Sequence, residues 1–456
     1  MGTVQAKSYP TGIEEEKMKD KGDNIYLEKV SARVDKINID GVARTKQDVL
    51  AKSMKDLFGS QNFQEVILNI YSVADKLQKL NAFKRVDVFI DTSSGADATP
   101  KGLEVTFYVQ EVRRITGGIN TLVGNNEGSL VAGVQLPNMF GRGECLQSEY
   151  HYGTKRSSGF NVTFTKPFIS RGNPRFTAAL FKQGEDFTWS GFREIDHGTL
   201  LELNLESFPR IQHTFRWEGI WREIKSLSTV TSFPVREESG HSLKSSVKHT
   251  VALDLRDNPV IPTYGQLFKL HQEYAGLGGD VGFLKHELEV QLNQSLGMDM
   301  VLQASLLGGI LNKIQNKNYS ICDKFFLGGP LSLRGFTVRG VGPRANEDAL
   351  GAETYWASGL HLYTPLPFRP GRDGIGNYFR THTFLNAGNI GYFLGENNYP
   401  DWKRMFSNIR LSCGAGIVIS VGHIARFELN YCLPLKFQNE DRTNPGMQFG
   451  IGVAFL

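Results

Sequence analysis

The sequence predicts a mainly β protein, a small α/β domain followed by a large antiparallel transmembrane β-barrel. Three observations carry that prediction. Helical spacing is confined to the residues before about Arg114, and beyond it apolar and polar side chains alternate with period two to the end of the chain. The alternating segments run long and continue without an intervening helix, too far for the core of a soluble sandwich. Between two of them lies Leu327-Gly-Gly-Pro-Leu-Ser-Leu-Arg-Gly-Phe336, a glycine-lined loop with one arginine, which reads as a loop folded back into a lumen.

The bulk numbers set bounds but do not reveal the membrane. A net charge of +4 gives no strongly basic face for nucleic acid. No segment approaches the ~18 to 20 apolar residues of a membrane helix. Forty-nine glycines, 11% aromatics and a mean hydropathy of -0.27 suit a barrel wall, in which every second residue faces water. Cys145, Cys322, Cys413 and Cys432 stand far apart without a C-x-x-C pair, so they read as reduced structural thiols. His286-Glu287 lacks the second histidine of a zinc protease, and the glycines of Ala275–Asp280 precede no helix, so they mark a turn. No catalytic constellation, cofactor or metal site is therefore expected.

The elements follow in order. Residues 1 to about 30 are a polar tail, with a charged run from Glu14 to Lys21 and neither the apolar core of a secretory signal nor an Arg-rich transit pattern. Synthesis in the cytosol, without the usual secretory route, is the expectation. The α/β domain spans 31–112. Ile37 and Ile39 alternate up to Gly41, and Thr45-Lys-Gln-Asp48 has the form of a capping box opening a helix to about Phe58. Phe63, Val66, Ile67, Ile70, Ala74, Leu77 and Leu80 keep helical spacing. Val86, Val88 and Ile90 alternate, Ser93–Pro100 breaks the chain, and Leu103, Val105, Phe107 and Val109 alternate again. The order is β-α-α-β-β, two helices on one face of a sheet.

The barrel spans 114–456. Phe215, Trp217 and Trp221 oppose Arg216, Glu218 and Arg222, and Leu284, Leu288, Val290 and Leu292 oppose Lys285, Glu287, Glu289 and Gln291. Phe427, Leu429 and Tyr431 oppose Arg426, Glu428 and Asn430, and Phe449, Ile451, Val453 and Phe455 oppose Gln448, Gly450 and Gly452. At about twenty residues per strand and turn the region holds roughly sixteen strands, an even number suited to a membrane barrel. Closure removes the sheet edges that lipid cannot hydrogen-bond. The inward loop covers about 323–345, and its arginine requires a polar partner, because a buried unpaired charge is costly.

Taken together, the α/β module, the strand number and Leu333-Arg-Gly-Phe336 resemble the outer-membrane assembly-barrel superfamily. Leu360–Phe368, Phe384-Leu-Asn-Ala-Gly388, Gly414-Ala-Gly-Ile-Val418 and the closing stretch Gln448–Leu456 fit as well. A single module similar to a polypeptide-transport-associated (POTRA) domain, without a signal peptide, matches the mitochondrial sorting-and-assembly branch, and the 50.9 kDa mass agrees. The resemblance implies insertion and folding of β-barrel precursors into the mitochondrial outer membrane, through a seam between first and last strands and without covalent chemistry. It implies a POTRA domain in the intermembrane space. The implied partners are β-barrel precursors, metaxin-like peripheral subunits, the outer-membrane translocase, the inner-membrane contact-site complex and the lipid bilayer, with no nucleic acid.

The same resemblance assigns residues. The inward loop presents Leu333, Arg334, Gly335 and Phe336. Where relatives place acidic wall residues, this chain has His361 and Asn386, near Gly388, with Glu428 as an alternative carboxylate for Arg334. The substrate-pairing edge is Ile115–Val123, comprising Ile115, Gly117, Gly118, Ile119, Thr121 and Val123. Gln448, Gly450, Val453 and Phe455 fit the polar-x-Gly-x-x-apolar-x-apolar pattern of an insertion signal. The rival readings are a passive metabolite channel, which an obstructing loop disfavours, and a plastid-type import channel, whose family carries several POTRA modules.

Overall fold

The computed structural model describes residues 27–94, 98–124, 127–170, 172–208, 210–314, 317–366, 375–392, 401–422, 425–453 and 455–456. Most of the expected tail, the Pro367–Phe368 end of the Leu360–Phe368 stretch and the side chain of Val123 lie outside the described residues.

The N-terminal domain runs β1 (Arg33–Asp40), α1 (Gln47–Met54), a 3-10 turn (Lys55–Gly59), α2 (Phe63–Lys79), β2 (Phe83–Thr92) and β3 (Gly102–Glu111). Its sheet has the order β1-β3-β2, with β1 parallel and β2 antiparallel to β3. Helix α2 starts where Asn62 accepts from the Glu65 N–H of the first turn at 2.8 Å, while the Glu65 carboxylate reaches back to the Gln61 N–H, just before the cap, at 2.9 Å. Its periodic face, Val66, Ile70, Val73 and Leu77, packs in one core with Val105, Phe107 and Val109 of β3. Helix α1 departs from the expectation. Lys46 is its N-cap and no side chain caps it, because Thr45 turns its N–H (2.9 Å) and hydroxyl (2.7 Å) to the Glu111 carboxylate. The charged carboxylate makes these strong hydrogen bonds and holds Thr45 one residue outside the cap position. The helix ends at Met54 and tightens into the 3-10 turn.

Among the described residues sixteen strands form one antiparallel sheet in which neighbours in the chain are neighbours in space. It starts with Thr116–Gly124 and finishes with Arg410–Val421, Ala425–Lys436 and Gly446–Gly452. The alternation is inside out relative to a soluble protein. On Ile211–Ser226 the outward Phe215 and Trp221 are 42% and 56% exposed, while the inward Glu218 and Arg222 are each 5% exposed. On Ala425–Lys436 the outward Leu429, Tyr431 and Leu433 are exposed and the inward Arg426, Glu428, Asn430 and Cys432 are buried. An apolar outer face and a charged interior are what lipid outside and water inside demand. The up-and-down order puts the turn between Glu127–Pro137 and Cys145–Gly153 against the α/β domain, where the Asn138 amide donates to Thr45 at 2.9 Å. The connection between Met300–Lys313 and Thr354–Pro365 emerges at the opposite end and turns back inside.

Candidate functional site

Two structures meet at one place, the seam of the barrel and the inward loop. The first strand, nine residues long, and the last, seven, are shorter than the twelve to seventeen residues common elsewhere in the wall. Their Cα atoms approach within 8 Å, yet among the described residues no ladder joins them. The strand covers Thr116–Gly124, so Ile115 precedes it. Residues 115–122 are exposed on both faces, and the backbone pairing of the strand is to Glu127–Pro137, Val123 lying opposite Gly128. Gly118 is not dictated by crowding, since a Cβ there would meet nothing within 4 Å. The outer edge of this strand therefore presents backbone N–H and C=O groups without a sheet partner.

The other side of the seam is held by the loop. Arg334 is fully buried, and its Nε and Nη2 donate to Glu428 Oε2 at 3.1 and 2.9 Å. Arg426 Nη2 stands 3.0 Å from the second oxygen of the same carboxylate, and the Asn430 amide donates to the first at 2.8 Å. One carboxylate thus compensates two buried arginines. The Arg334 guanidinium also lies 5.2 Å from the Phe384 ring and 5.6 Å from that of Phe455. Cation–π contacts of this kind are stronger where water is excluded. With its carbonyl turned to the cation, Asn386 accepts from Arg334 Nη1 at 3.1 Å. His361 is not hydrogen-bonded to Arg334. Its Nδ1 faces His382 Nε2 at 2.9 Å, and the guanidinium goes instead to the carboxylate, which offers charge as well as lone pairs. Gly388 leaves room for the loop, for a Cβ there would stand 3.3 Å from Leu327 Cδ2.

Gly335 sits at φ 86°, and a Cβ on it would approach Ser412 Cβ to 3.2 Å, so conformation and closeness to the wall both select glycine. Its N–H donates to Gln448 Oε1 at 3.0 Å, and Gln448 Nε2 donates to the Phe336 carbonyl at 3.1 Å. Thr337 N–H donates to the Arg442 carbonyl at 3.0 Å and Asn444 N–H to the Gly335 carbonyl at 2.8 Å. Leu456 N–H donates to the Leu331 carbonyl at 2.9 Å. The loop is therefore hydrogen-bonded to the last strand before it, on it and after it. Gly450, facing inward, takes Pro330 against it, where a Cβ would lie 3.3 Å from the proline Cβ.

The last-strand pattern needs one correction. Val453 is exposed, but the strand ends at Gly452 and Phe455 does not continue the outward alternation. Its ring turns inward to lie 4.1 Å from the Arg426 guanidinium as well as over Arg334. Two buried cations side by side draw an aromatic face.

Sequence reasoning missed a second anchor. Ser320 and Asp323 form a capping box at the start of the loop. Asp323, 4% exposed, accepts from Lys244 Nζ at 2.9 Å and from Arg222 Nη1 at 3.2 Å, while Lys285 Nζ donates to its backbone carbonyl at 3.1 Å. Further along, Arg339 lies 3.8 Å from the Phe326 ring and donates to Ser190 Oγ at 2.9 Å. The Ser-x-x-Asp spacing was the available signal, together with basic residues at the inward positions 222 and 244.

Comparison with known proteins agrees with this architecture. The Omp85 superfamily domain matches residues 138–455. The human sorting and assembly machinery component 50 homolog is 46% identical, with the whole of both chains covered. Its counterpart in Xenopus tropicalis is 48% identical over 94% of this chain and 92% of its own. A SAM50-like protein of Schizosaccharomyces pombe is 31% identical over 93% and 90%. Among solved structures, BamA from Haemophilus ducreyi lacking POTRA domains 1–3 superposes with a TM-score of 0.75 at 16% identity, covering 93% of this chain and 84% of that one. CdiB from Acinetobacter baumannii gives 0.52 at 12% identity, over 92% and 74%. The family match over residues 138–455 and the identities of 46–48% over nearly the whole chain show that the chain belongs to the Omp85 superfamily, in the sorting and assembly machinery component 50 family.

Proposed function

We propose that this protein inserts and folds β-barrel precursors into the mitochondrial outer membrane by offering its first strand as a pairing edge. One observation carries the reading. The last strand is secured to the inward loop by hydrogen bonds, while no ladder secures it to the first strand. The wall can then part at this line without unzipping an established pair. A strand entering lipid must not leave backbone polar groups unpaired, because each costs several kcal/mol there. An incoming last strand meets the bare edge of Thr116–Gly124 and gains those bonds by β-augmentation. Its pairing partner then becomes the template for the next hairpin. No bond is made or broken covalently, and no cofactor enters.

The polar-x-Gly pattern gains a physical meaning in this scheme. Here Gln448 supplies an acceptor to Gly335 N–H and a donor to the Phe336 carbonyl, and Gly450 leaves space for Pro330. A precursor strand with the same pattern carries the groups that such a loop accepts. The α/β domain, read as a single POTRA module in the intermembrane space, stands at the barrel end where the first strand starts. The further partners in this reading are metaxin-like peripheral subunits, the outer-membrane translocase and the inner-membrane contact-site complex. A metabolite channel is the less economical reading, since a loop clamped inside the lumen narrows a pore.

Depletion of the protein from mitochondria, followed by import of labelled porin, tests the proposal. Porin is expected to cross the membrane and remain unassembled. Normal porin assembly together with reduced metabolite permeability would return the channel reading.

A further inference from the structure

Outside the lumen and the seam, one cavity on the lipid-facing wall is covered by a helix of the chain itself. It measures about 420 Å³ and lies over Leu270, Leu288, Leu306 and Ile310, all at outward positions of adjacent strands. Trp356 forms one side, and Met405 and Phe406 of a short helix, α3 (Trp402–Ser407), form the roof. That volume falls within the range of small-ligand sites, about 300–1,000 Å³. The helix is fastened down: Trp356 Nε1 and Asn389 Nδ2 donate to the Met405 carbonyl at 3.3 and 2.8 Å, and the Phe406 and Trp356 rings stand 5.2 Å apart. Its Lys403 and Arg404 are exposed. Strand alternation puts this helix at the barrel end remote from the α/β domain, where a wall meets the bilayer surface.

A barrel wall in lipid has no need of a roof. The outward residues are apolar and acyl chains cover them, as elsewhere on the wall. Here the chain instead leaves the barrel, folds a basic helix over the wall and stops short of filling the space beneath. An empty apolar cavity forfeits the dispersion contacts of its lining. The occupant at hand is the surrounding lipid, because the cavity is continuous with the surface that lipid already covers. Two adjacent exposed cations on the helix that lines an apolar slot suit a phosphate next to a hydrocarbon chain, the pairing by which basic amphipathic helices hold anionic lipids. We propose that the cavity under Met405 and Phe406 holds one acyl chain of an anionic phospholipid, with Lys403 and Arg404 at its phosphate. The site is separate from the seam, and the inference requires only that the barrel sits in a bilayer.

The full chain, reconstituted into phosphatidylcholine vesicles containing phosphatidylglycerol with a diazirine at the acyl terminus, tests it. Photolabel is expected to concentrate on the peptides carrying Leu288, Leu306 and Met405. Gly308→Leu pushes a side chain into the cavity, since a Cβ there meets only the Tyr355 carbonyl at 3.7 Å, and should reduce the label several-fold. Heat-modifiable mobility in electrophoresis establishes that the variant is folded; Leu306→Trp replaces it if it is not. Lys403→Gln with Arg404→Gln should erase the preference for phosphatidylglycerol over an equally labelled phosphatidylcholine probe. Label spread evenly round the wall, undiminished label in a folded cavity-filling variant, or no preference for the anionic probe in the natural chain would each overturn the proposal. So would photocrosslinking of a polypeptide in place of lipid at position 288 in native outer membranes.

Discussion

At the scale of single residues, the balance of charge around Glu428 decides how the loop is held. Arg334→Ala leaves the Glu428 carboxylate still facing Arg426, so the pair that remains is neutral. Glu428→Gln is nearly isosteric but leaves two buried guanidinium groups without an anion. Removing one partner of a buried pair costs roughly 3–5 kcal/mol, and here the same deletion strands two cations. Glu428→Gln is therefore expected to destabilise the barrel more than Arg334→Ala does. Denaturant midpoints of the two variants in detergent, read from the loss of the compact electrophoretic form, check the order. The sequence made the arginine legible as an enclosed group because its neighbours are Leu333 and Gly335. Its partner was less so: His361, Asn386 and Glu428 all have inward parity, and which one the guanidinium reaches depends on the tilt and depth of three different strands.

At the scale of elements, period two made the strands readable almost to their ends, as with Thr116–Gly124 against the expected Ile115–Val123. Burial on one side and lipid on the other fix parity strongly, since a slip of one residue would exchange the faces. Helix α1 was less readable, because the Thr45 side chain is claimed by Glu111, 66 positions away. Phe455 was misplaced because the pull of Arg426 and Arg334 is tertiary and leaves no trace in alternation. The first strand gives a direct test of the seam. Gly118→Val places its side chain in open space and should change stability by no more than about 0.5 kcal/mol. A branched residue stiffens the strand by restricting its backbone to the extended form. Precursor assembly by this variant should slow while the barrel still folds, measured as the rate at which imported porin reaches its mature form. Unchanged assembly would show that the softness of this strand is unimportant.

At the scale of the whole molecule, a polar joint sets the α/β domain against the barrel. Arg44 binds Glu111 at 3.1 Å through Nε and reaches the Pro137 carbonyl at 3.4 Å, and Arg142 pairs with Asp48 at 2.9 Å. Burial by itself would raise the Glu111 carboxyl, but the N–H groups of Arg44, Thr45 and Ala43 and the Thr45 hydroxyl bring it from the usual 4.5 down to about 2. The sign follows from that depression. The stabilisation is complete above the unfolded value of 4.5 and is lost as pH falls toward about 2. The domain should therefore become more accessible to an acid-stable protease between about pH 4.5 and 2, and Glu111→Gln should show much of that accessibility already at neutral pH. Domain order was legible in the sequence; this joint was not, because its members come from segments whose distance in space no periodicity reports.

The bonds between loop and last strand have a mechanical consequence. Pro330, Leu331, Gly335, Phe336 and Thr337 on one side, and Arg442, Asn444, Gln448 and Leu456 on the other, join two pieces of chain into one stiff post. Among the described residues the first strand has no such brace, residues 115–122 being exposed. If the wall parts at this line, as proposed, the post is expected to stand and the first strand to swing, like a door on the frame of its neighbour Glu127–Pro137. Spin labels on Thr121 and Met447 should separate on engagement of a precursor, while a pair on Ser332 and Met447 keeps its distance. Equal lengthening of both pairs would mean that the post itself moves.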